Sequence, residues 1–221
     1  MSDNIPERKK IHELPKQMAD KIAAGEVVDR PVSIVKELVE NSIDAGASSI
    51  AVEIKNGGIK YIRVTDNGCG IASSEAETAF LRHATSKLES IDDLNSLATM
   101  GFRGEALASI CAVARVELLT KTEESELGAY LVMEGGKAKE KQEMACANGT
   151  TMIVEDLFSN IPARMKFMKK DSTEGGYVAD VLGRIALARP DISFEFINDG
   201  KSIFKTNGDG DIKNAVLMIY G

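Results

Sequence analysis

An α+β sandwich, with helices on one face of a mixed, mostly antiparallel sheet, is the fold class this sequence predicts. Three observations lead there. SIAVEIK (49–55) and IKYIRVT (59–65) alternate strictly around NGG (56–58), the pattern of a half-buried hairpin. KELVENSIDAG (36–46) repeats its apolar residues at helical spacing, so one face of a helix meets a core. A chain of 221 residues with 43% hydrophobic content is long enough to bury one sizeable core.

Residues 1–10 read as a flexible N-terminus, and 11–221 as one domain. QMADKIAAGEVV (17–28) is a short helix followed by a glycine-interrupted turn. Pro31 suits the first turn of the next helix, which buries Val35, Leu38, Val39, Ser42 and Ile43 and ends at Gly46. The hairpin follows, and its second strand runs into DNGCGI (66–71). Ser74 and Glu77 make a capping-box pattern for a helix through Leu81. Over 82–104 the pattern becomes irregular, for about as long as structureless loops become in compact domains, which predicts a lid or a segment with only short helices. EALASICAVA (105–114) is helical. Strands are expected at 115–120, 128–134 and 149–155, helices at about 162–170 and 177–189, and a hairpin at 192–206 turning through NDG. A last helix opens at Asp211 and stops about three turns later, as at a domain boundary. No repeat or low-complexity segment interrupts this order, which fits the two-layer arrangement.

Charge and composition narrow the function classes. A formal net charge of −7 argues against a nucleic-acid platform, so any such grip belongs to a local groove or to sequence elsewhere. Cys69, Cys111 and Cys146 lack metal-ligand spacing and are expected reduced. Neither a signal peptide nor an apolar run long enough for a membrane is evident, so a cytoplasmic, intracellular chain without membrane contact is expected.

Four stretches carry chemistry. The helix face Glu37, Glu40, Asn41, Asp44 lines up three carboxylates and an amide, with only Lys36 at its edge. It is either a solvated face or one whose cation arrives with a ligand. In DNGCG, Asp66 ends a strand and, as an ionised acceptor, can receive an exocyclic amine such as that of adenine, while Gly68 and Gly70 permit close backbone approach. A plain Asx turn explains the same residues equally well. GFRG (101–104) opens a helix, and free N–H groups there suit phosphate, although a lone GxxG is weak. In RHATSK (82–87), Thr85, Ser86 and Lys87 offer hydroxyls and a cation to phosphate oxygens, and His83 reads as a structural hydrogen-bonder rather than a base. A glycine-threonine step, GTT (149–151), places a hydroxyl where Thr150 can support Asp66. Walker A, dinucleotide and nucleophile-elbow patterns are absent.

Together, in this order, these stretches resemble the GHKL ATPases, the class of gyrase-type topoisomerases, sensor histidine kinases, a chaperone family and the MutL mismatch-repair proteins. IHELPKQMADKIAAGEVVDRPVSIVKELVENSIDAGA, DNGCGI, RHATSK, GFRGEALASI and DLF…NIPARMKF are similar to MutL in particular, from Ile11 to the end. Residues 121–148 add nothing to the match. The resemblance implies an ATP/ADP site with Mg²⁺, in which Asn41 coordinates the ion and Glu37 is the catalytic base. Glu40 would take a supporting electrostatic role, and Asp44 would serve the helix end. Asp66, Gly70 and Thr150 would hold the adenine end, and Thr85, Ser86, Gly101, Phe102, Arg103 and Gly104 the phosphates. It further implies slow hydrolysis, a nucleotide-dependent homodimer, a MutS-type mismatch-recognition partner and downstream repair factors, and DNA contact through the full-length protein. A phosphate-sensing lysine would come from a following domain. The alternatives are another GHKL ATPase, against which IAAGEVV…RP argues, or a nucleotide-gated clamp without significant turnover.

Overall fold

The computed structural model describes Glu13, Pro15 and residues 23–25, 27–84 and 104–221. A helical segment ending at Val27 leads into α1 (Pro31–Asp44), followed by β1 (Ser49–Lys55) and β2 (Tyr61–Asp66). Then come α2 (Ala106–Val113), β3 (Arg115–Lys121), β4 (Gly128–Glu134), β5 (Lys137–Met144) and β6 (Gly149–Glu155). Last are α3 (Pro162–Met165), α4 (Asp171–Ala188), β7 (Ser193–Asn198), β8 (Lys201–Lys205) and α5 (Ile212–Tyr220). Among the described residues eight strands form one sheet in the order β5-β4-β3-β6-β2-β1-β7-β8. Only β1 and β7 pair in parallel; every other neighbour is antiparallel, so the sheet is mixed and mostly antiparallel as expected.

The alternation read from the sequence decides which face is covered. Ile50, Val52 and Ile54 of β1, Ile62 and Val64 of β2, Val116 and Leu118 of β3, and Met152 and Val154 of β6 are all buried. They form one core with Ile34, Val35, Leu38, Val39 and Ile43 of α1 and Val178, Leu182 and Ala186 of α4. Each such side chain contributes about 1.5–3 kcal/mol by leaving water, so α1 is held by its packed face more than by helix propensity. The opposite face carries a charged ladder. Arg115 pairs with Glu117 and Glu155, Tyr130 donates to Glu117, and Arg63 pairs with Glu53.

Several expectations are corrected. The segment after DNGCG is a run of turns with a single 3₁₀ turn at Thr78–Phe80, not a helix from Ser74 to Leu81. Buried Ala76 and Phe80 anchor it, and so short a piece gains too few hydrogen bonds to offset helix nucleation. The helix expected over 162–170 is only Pro162–Met165, and the next begins at Asp171 rather than at 177. The motif-free stretch 121–148 contains β5, whose residues are nearly all exposed and so show no apolar alternation. NGG turns the chain as expected, as a 3₁₀ turn whose Gly57 and Gly58 are buried at φ +64° and +87°. A Cβ on Gly57 would stand 2.6 Å from the Asp171 carbonyl oxygen, so glycine lets α4 close on the hairpin. The helix at Asp211 is as expected, its carboxylate accepting from the amides of Lys213 and Asn214.

Candidate functional site

Three strands deliver one polar row to the helix-facing side of the sheet. Asp66 is the last residue of β2 and pairs in register with Thr150 of β6, which pairs with Thr120 of β3. The neighbouring row, Val64, Met152 and Leu118, belongs to the core. The polar row therefore lies where the apolar core stops.

Asp66 is almost buried, at 9% exposure, yet its carboxylate is well satisfied. Oδ2 accepts from the Ser42 hydroxyl at 2.7 Å, and Oδ1 accepts from the amides of Gly68 at 2.9 Å and Thr150 at 3.2 Å. The Gly68 contact is an Asx turn, so the turn reading and the site reading describe the same carboxylate. Thr150 does not support Asp66 through its hydroxyl, as the sequence suggested. That hydroxyl lies 3.1 Å from the Thr120 hydroxyl, and the backbone N–H serves the acid instead. The Thr150 hydroxyl has neighbours on both sides in its row, Asp66 and Thr120, and it is Thr120 that it meets. Gly149 makes the approach possible: its φ is +109°, and a Cβ there would lie 2.1 Å from the Asp66 carbonyl oxygen.

The DNGCG loop is tied down on both sides. The Cys69 amide donates to the Ala45 carbonyl at the end of α1, and the Ile71 amide donates to the Thr120 hydroxyl. A Cβ on Gly70, at φ +72°, would stand 2.2 Å from the Lys121 carbonyl oxygen. Asn67 holds the start of β1, its Oδ1 accepting from the amides of Ser48 and Ser49. Ser42, Ala45 and Thr120 are site residues that the sequence reading misses. Helical spacing assigns Ser42 only to the core face of α1, and nothing local betrays a hydroxyl partner 24 residues away.

On α1, Glu37 and Asn41 are both half-buried and stand one turn apart, with Asp44 exposed a turn further on. Glu40 departs from this group. It is 8% exposed, and Lys36 reaches its two carboxylate oxygens at 3.0 and 3.2 Å. Lys36 thus compensates Glu40 within the helix, while Glu37 and Asn41 share a half-buried side of α1 one turn apart.

Of the expected phosphate-side residues, Thr85, Ser86, Gly101, Phe102 and Arg103 lie outside the described residues, as does Lys87. The two ends of that segment are described, and they meet. The His83 amide donates to the Gly104 carbonyl at 2.9 Å, and a Cβ on Gly104 would press within 2.8 Å of the Ala84 carbonyl oxygen. The His83 ring is largely exposed, 3.7 Å from Glu105. Its structural contribution is the backbone bond that closes the loop base. The helix beyond, α2, begins after Glu105 without a side-chain cap, and Gly104 stands at φ +59° just before it.

Among the described residues no group of three or more His, Cys, Asp and Glu side chains converges on a common point. No helix among them is long and apolar enough to cross a membrane.

Residues 30–172 match the family model described as histidine kinase-, DNA gyrase B-, and HSP90-like ATPase. DNA mismatch repair protein MutL of Agathobacter rectalis is 54% identical over 94% of this chain, and that of Caldanaerobacter subterraneus subsp. tengcongensis is 55% identical over 96%. The chain spans about a third of the length of these curated relatives, 32% and 36%. Among solved structures, the Aquifex aeolicus MutL ATPase domain complexed with ADP superposes with a TM-score of 0.74 at 31% identity, covering 88% of this chain and 70% of that one. The N-terminal domain of a DNA repair protein superposes at 0.79 and 31% identity, covering 92% and 60%.

Proposed function

The chain belongs to the histidine kinase-, DNA gyrase B- and HSP90-like ATPases as the ATPase domain of a MutL-type mismatch-repair protein, and from that premise we propose how its residues handle ATP. The observation that carries the reading is the Asp66 carboxylate. An ionised carboxylate has about four acceptor sites, and the donors from Ser42, Gly68 and Thr150 take three. One acceptor is left on a rigid, nearly buried group at the edge of the core. That is what reading an exocyclic amine demands, and adenine carries one. The solved relative described as complexed with ADP supports the same ligand class.

From this anchor the phosphates extend toward α1 and the 82–104 segment. Asn41 would hold Mg²⁺ through its amide oxygen, a hard donor. An amide oxygen is the kind of donor that ion takes, since it accepts one or two oxygens from the protein and the rest from phosphate and water. When bound, Mg²⁺ supplies charge neutralisation along the phosphate chain. Glu37, one turn before Asn41, orients a water and takes its proton, which is worth about 10²–10⁴-fold. Lys36 keeps Glu40 engaged, so it does not compete for that water. Gly104, with Thr85, Ser86 and the 101–103 backbone, closes over the phosphates. Hydrolysis is slow and is completed by a lysine from a following domain. Nucleotide state then governs a homodimer, contact with a MutS-type partner and downstream repair factors, and DNA contact by the full-length protein. Cytoplasmic residence accords with this role.

The deciding experiment is calorimetric titration of the 221-residue chain with ADP and with a non-hydrolysable ATP analogue, with and without Mg²⁺. Saturable binding that strengthens with Mg²⁺ is expected. No binding up to about 1 mM, the top of the usual range for enzymes and substrates, would overturn the reading.

A further inference from the structure

The start of α1 has modest local support, from Pro31 and from the Ser33 hydroxyl, which donates to the Asp29 carboxylate. Its N-cap, Arg30, makes no side-chain cap, and Pro31 occupies the first turn. A further hold on this end comes from far along the chain. Arg164, on α3, donates from Nη1 to the Val28 carbonyl at 2.7 Å. Its guanidinium occupies the space where a side chain on Gly25 would be: a Cβ there would fall 1.1 Å from Nη2. The other side of the guanidinium faces the Phe158 ring, 5.5 Å from its centroid.

Phe158 is itself an unusual platform. It is fully buried and sits at φ +61°, a strained conformation for a bulky residue. Burial and the bond from its amide to the Val113 carbonyl hold it there. From Val28 only Asp29 and Arg30 intervene before α1. Arg30 is steadied in turn by the Tyr177 ring at 5.3 Å and by the buried Glu174 carboxylate at 3.8 Å.

Resting on the ATPase reading above, we propose that Arg164 is a positioning residue for ATP turnover. Its guanidinium, seated in the side-chain space of Gly25 and bonded to Val28, sets where α1 begins and hence where Glu37 stands. A helix moves as a body, and a misplacement of about 1 Å at a reacting group costs on the order of 10²-fold. Asp66 stands on β2 and keeps the amides of Gly68 and Thr150, neither of which α1 carries, so turnover falls further than affinity when the lock is lost.

The test uses the full-length protein with Arg164→Lys, Arg164→Ala, Gly25→Ala and the double variant Gly25→Ala/Arg164→Ala. Arg164→Ala should lower kcat by about 10-fold or more, while KM and ADP affinity stay within about three-fold. Arg164→Lys should recover little, because an ammonium neither fills the space over Gly25 nor stacks as a plane on Phe158. Gly25→Ala should match Arg164→Ala, although alanine is the better helix former, and should add nothing in the Arg164→Ala background. Amide exchange at residues 33–37 of the nucleotide-free protein should rise in all four variants, with β1 and β2 unchanged. Unchanged kcat, additive losses, or a loss falling equally on ADP affinity would each overturn the proposal. If the unaltered protein turned over no ATP, the ATPase reading would fall alone. Exchange at 33–37 would then decide the lock, and rates like those of the unaltered protein would overturn it.

Discussion

Asp66 and Glu37 show how differently two carboxylates are employed within one site. Asp66 has its donors built in, so replacing it by asparagine tests recognition more than folding. In Asp66→Asn the amide oxygen can keep the backbone N–H groups of Gly68 and Thr150, and the Ser42 hydroxyl can turn to accept from the new NH₂ group. The remaining face then presents a donor to the adenine amine. Asp66→Asn should lower ADP affinity by about 10-fold or more, because an unpaired buried polar group costs roughly 1–3 kcal/mol. Its thermal midpoint should stay within a few degrees; calorimetry and thermal denaturation check the pair, and unchanged affinity would mean that Asp66 does not read the base. On α1 the roles divide by one turn. Glu37→Ala should leave nucleotide affinity within a few-fold and reduce turnover of the full-length protein by about 10²-fold or more. Asn41→Ala should instead abolish the strengthening of binding by Mg²⁺. Titrations and steady-state rates compare them, and equal loss of affinity in both would refute the division.

At the scale of elements, the segment between His83 and Gly104 is the piece whose state should follow the nucleotide. Its base is closed by the His83–Gly104 backbone bond. Within it the sequence offers six large apolar side chains, Leu88, Ile91, Leu94, Leu97, Met100 and Phe102, among polar and small residues. Ordering backbone costs about 1–2 kcal/mol per residue, so ligand contacts are expected to add to what these side chains supply. Phosphate contacts to Thr85, Ser86 and the 101–104 amides would make up the difference. Amide exchange should therefore show weak protection over 82–104 in the free domain and a marked gain with a non-hydrolysable ATP analogue. Strong protection in the free domain, or no gain at saturation, would sink the lid.

For the whole molecule, the sheet divides the labour. Its covered face ends in the Asp66 row, while its open face is a ladder of ion pairs around Arg115 and Glu117, where the Glu117 hydrogen bond raises the Arg115 guanidinium above its ordinary value. A formal charge of −7 sets two copies of this chain against each other, so the homodimer proposed above rests on local surface rather than on net charge attraction. Sedimentation of the full-length protein should show a shift to dimer with the ATP analogue and Mg²⁺, and no shift with Asp66→Asn. A dimer fraction indifferent to nucleotide would contradict the coupling.

The sequence by itself determined the fold class, the hairpin at 49–66, the buried face of α1, the strand-end position of Asp66 and the glycines around it. These follow from local periodicity and from backbone conformations that few residues can adopt. It could not reveal β5, whose exposed residues leave no apolar alternation, or the length of α3. Only the tertiary structure decided that Ser42 and the Thr150 amide, rather than the Thr150 hydroxyl, hold Asp66, that Glu40 belongs to Lys36, and that Arg164 fills the side-chain space of Gly25. The physical reason is the same in each case. Such contacts join residues that are distant in sequence or compete for one partner, and their outcome depends on which backbone atoms the packed sheet brings within about 3 Å.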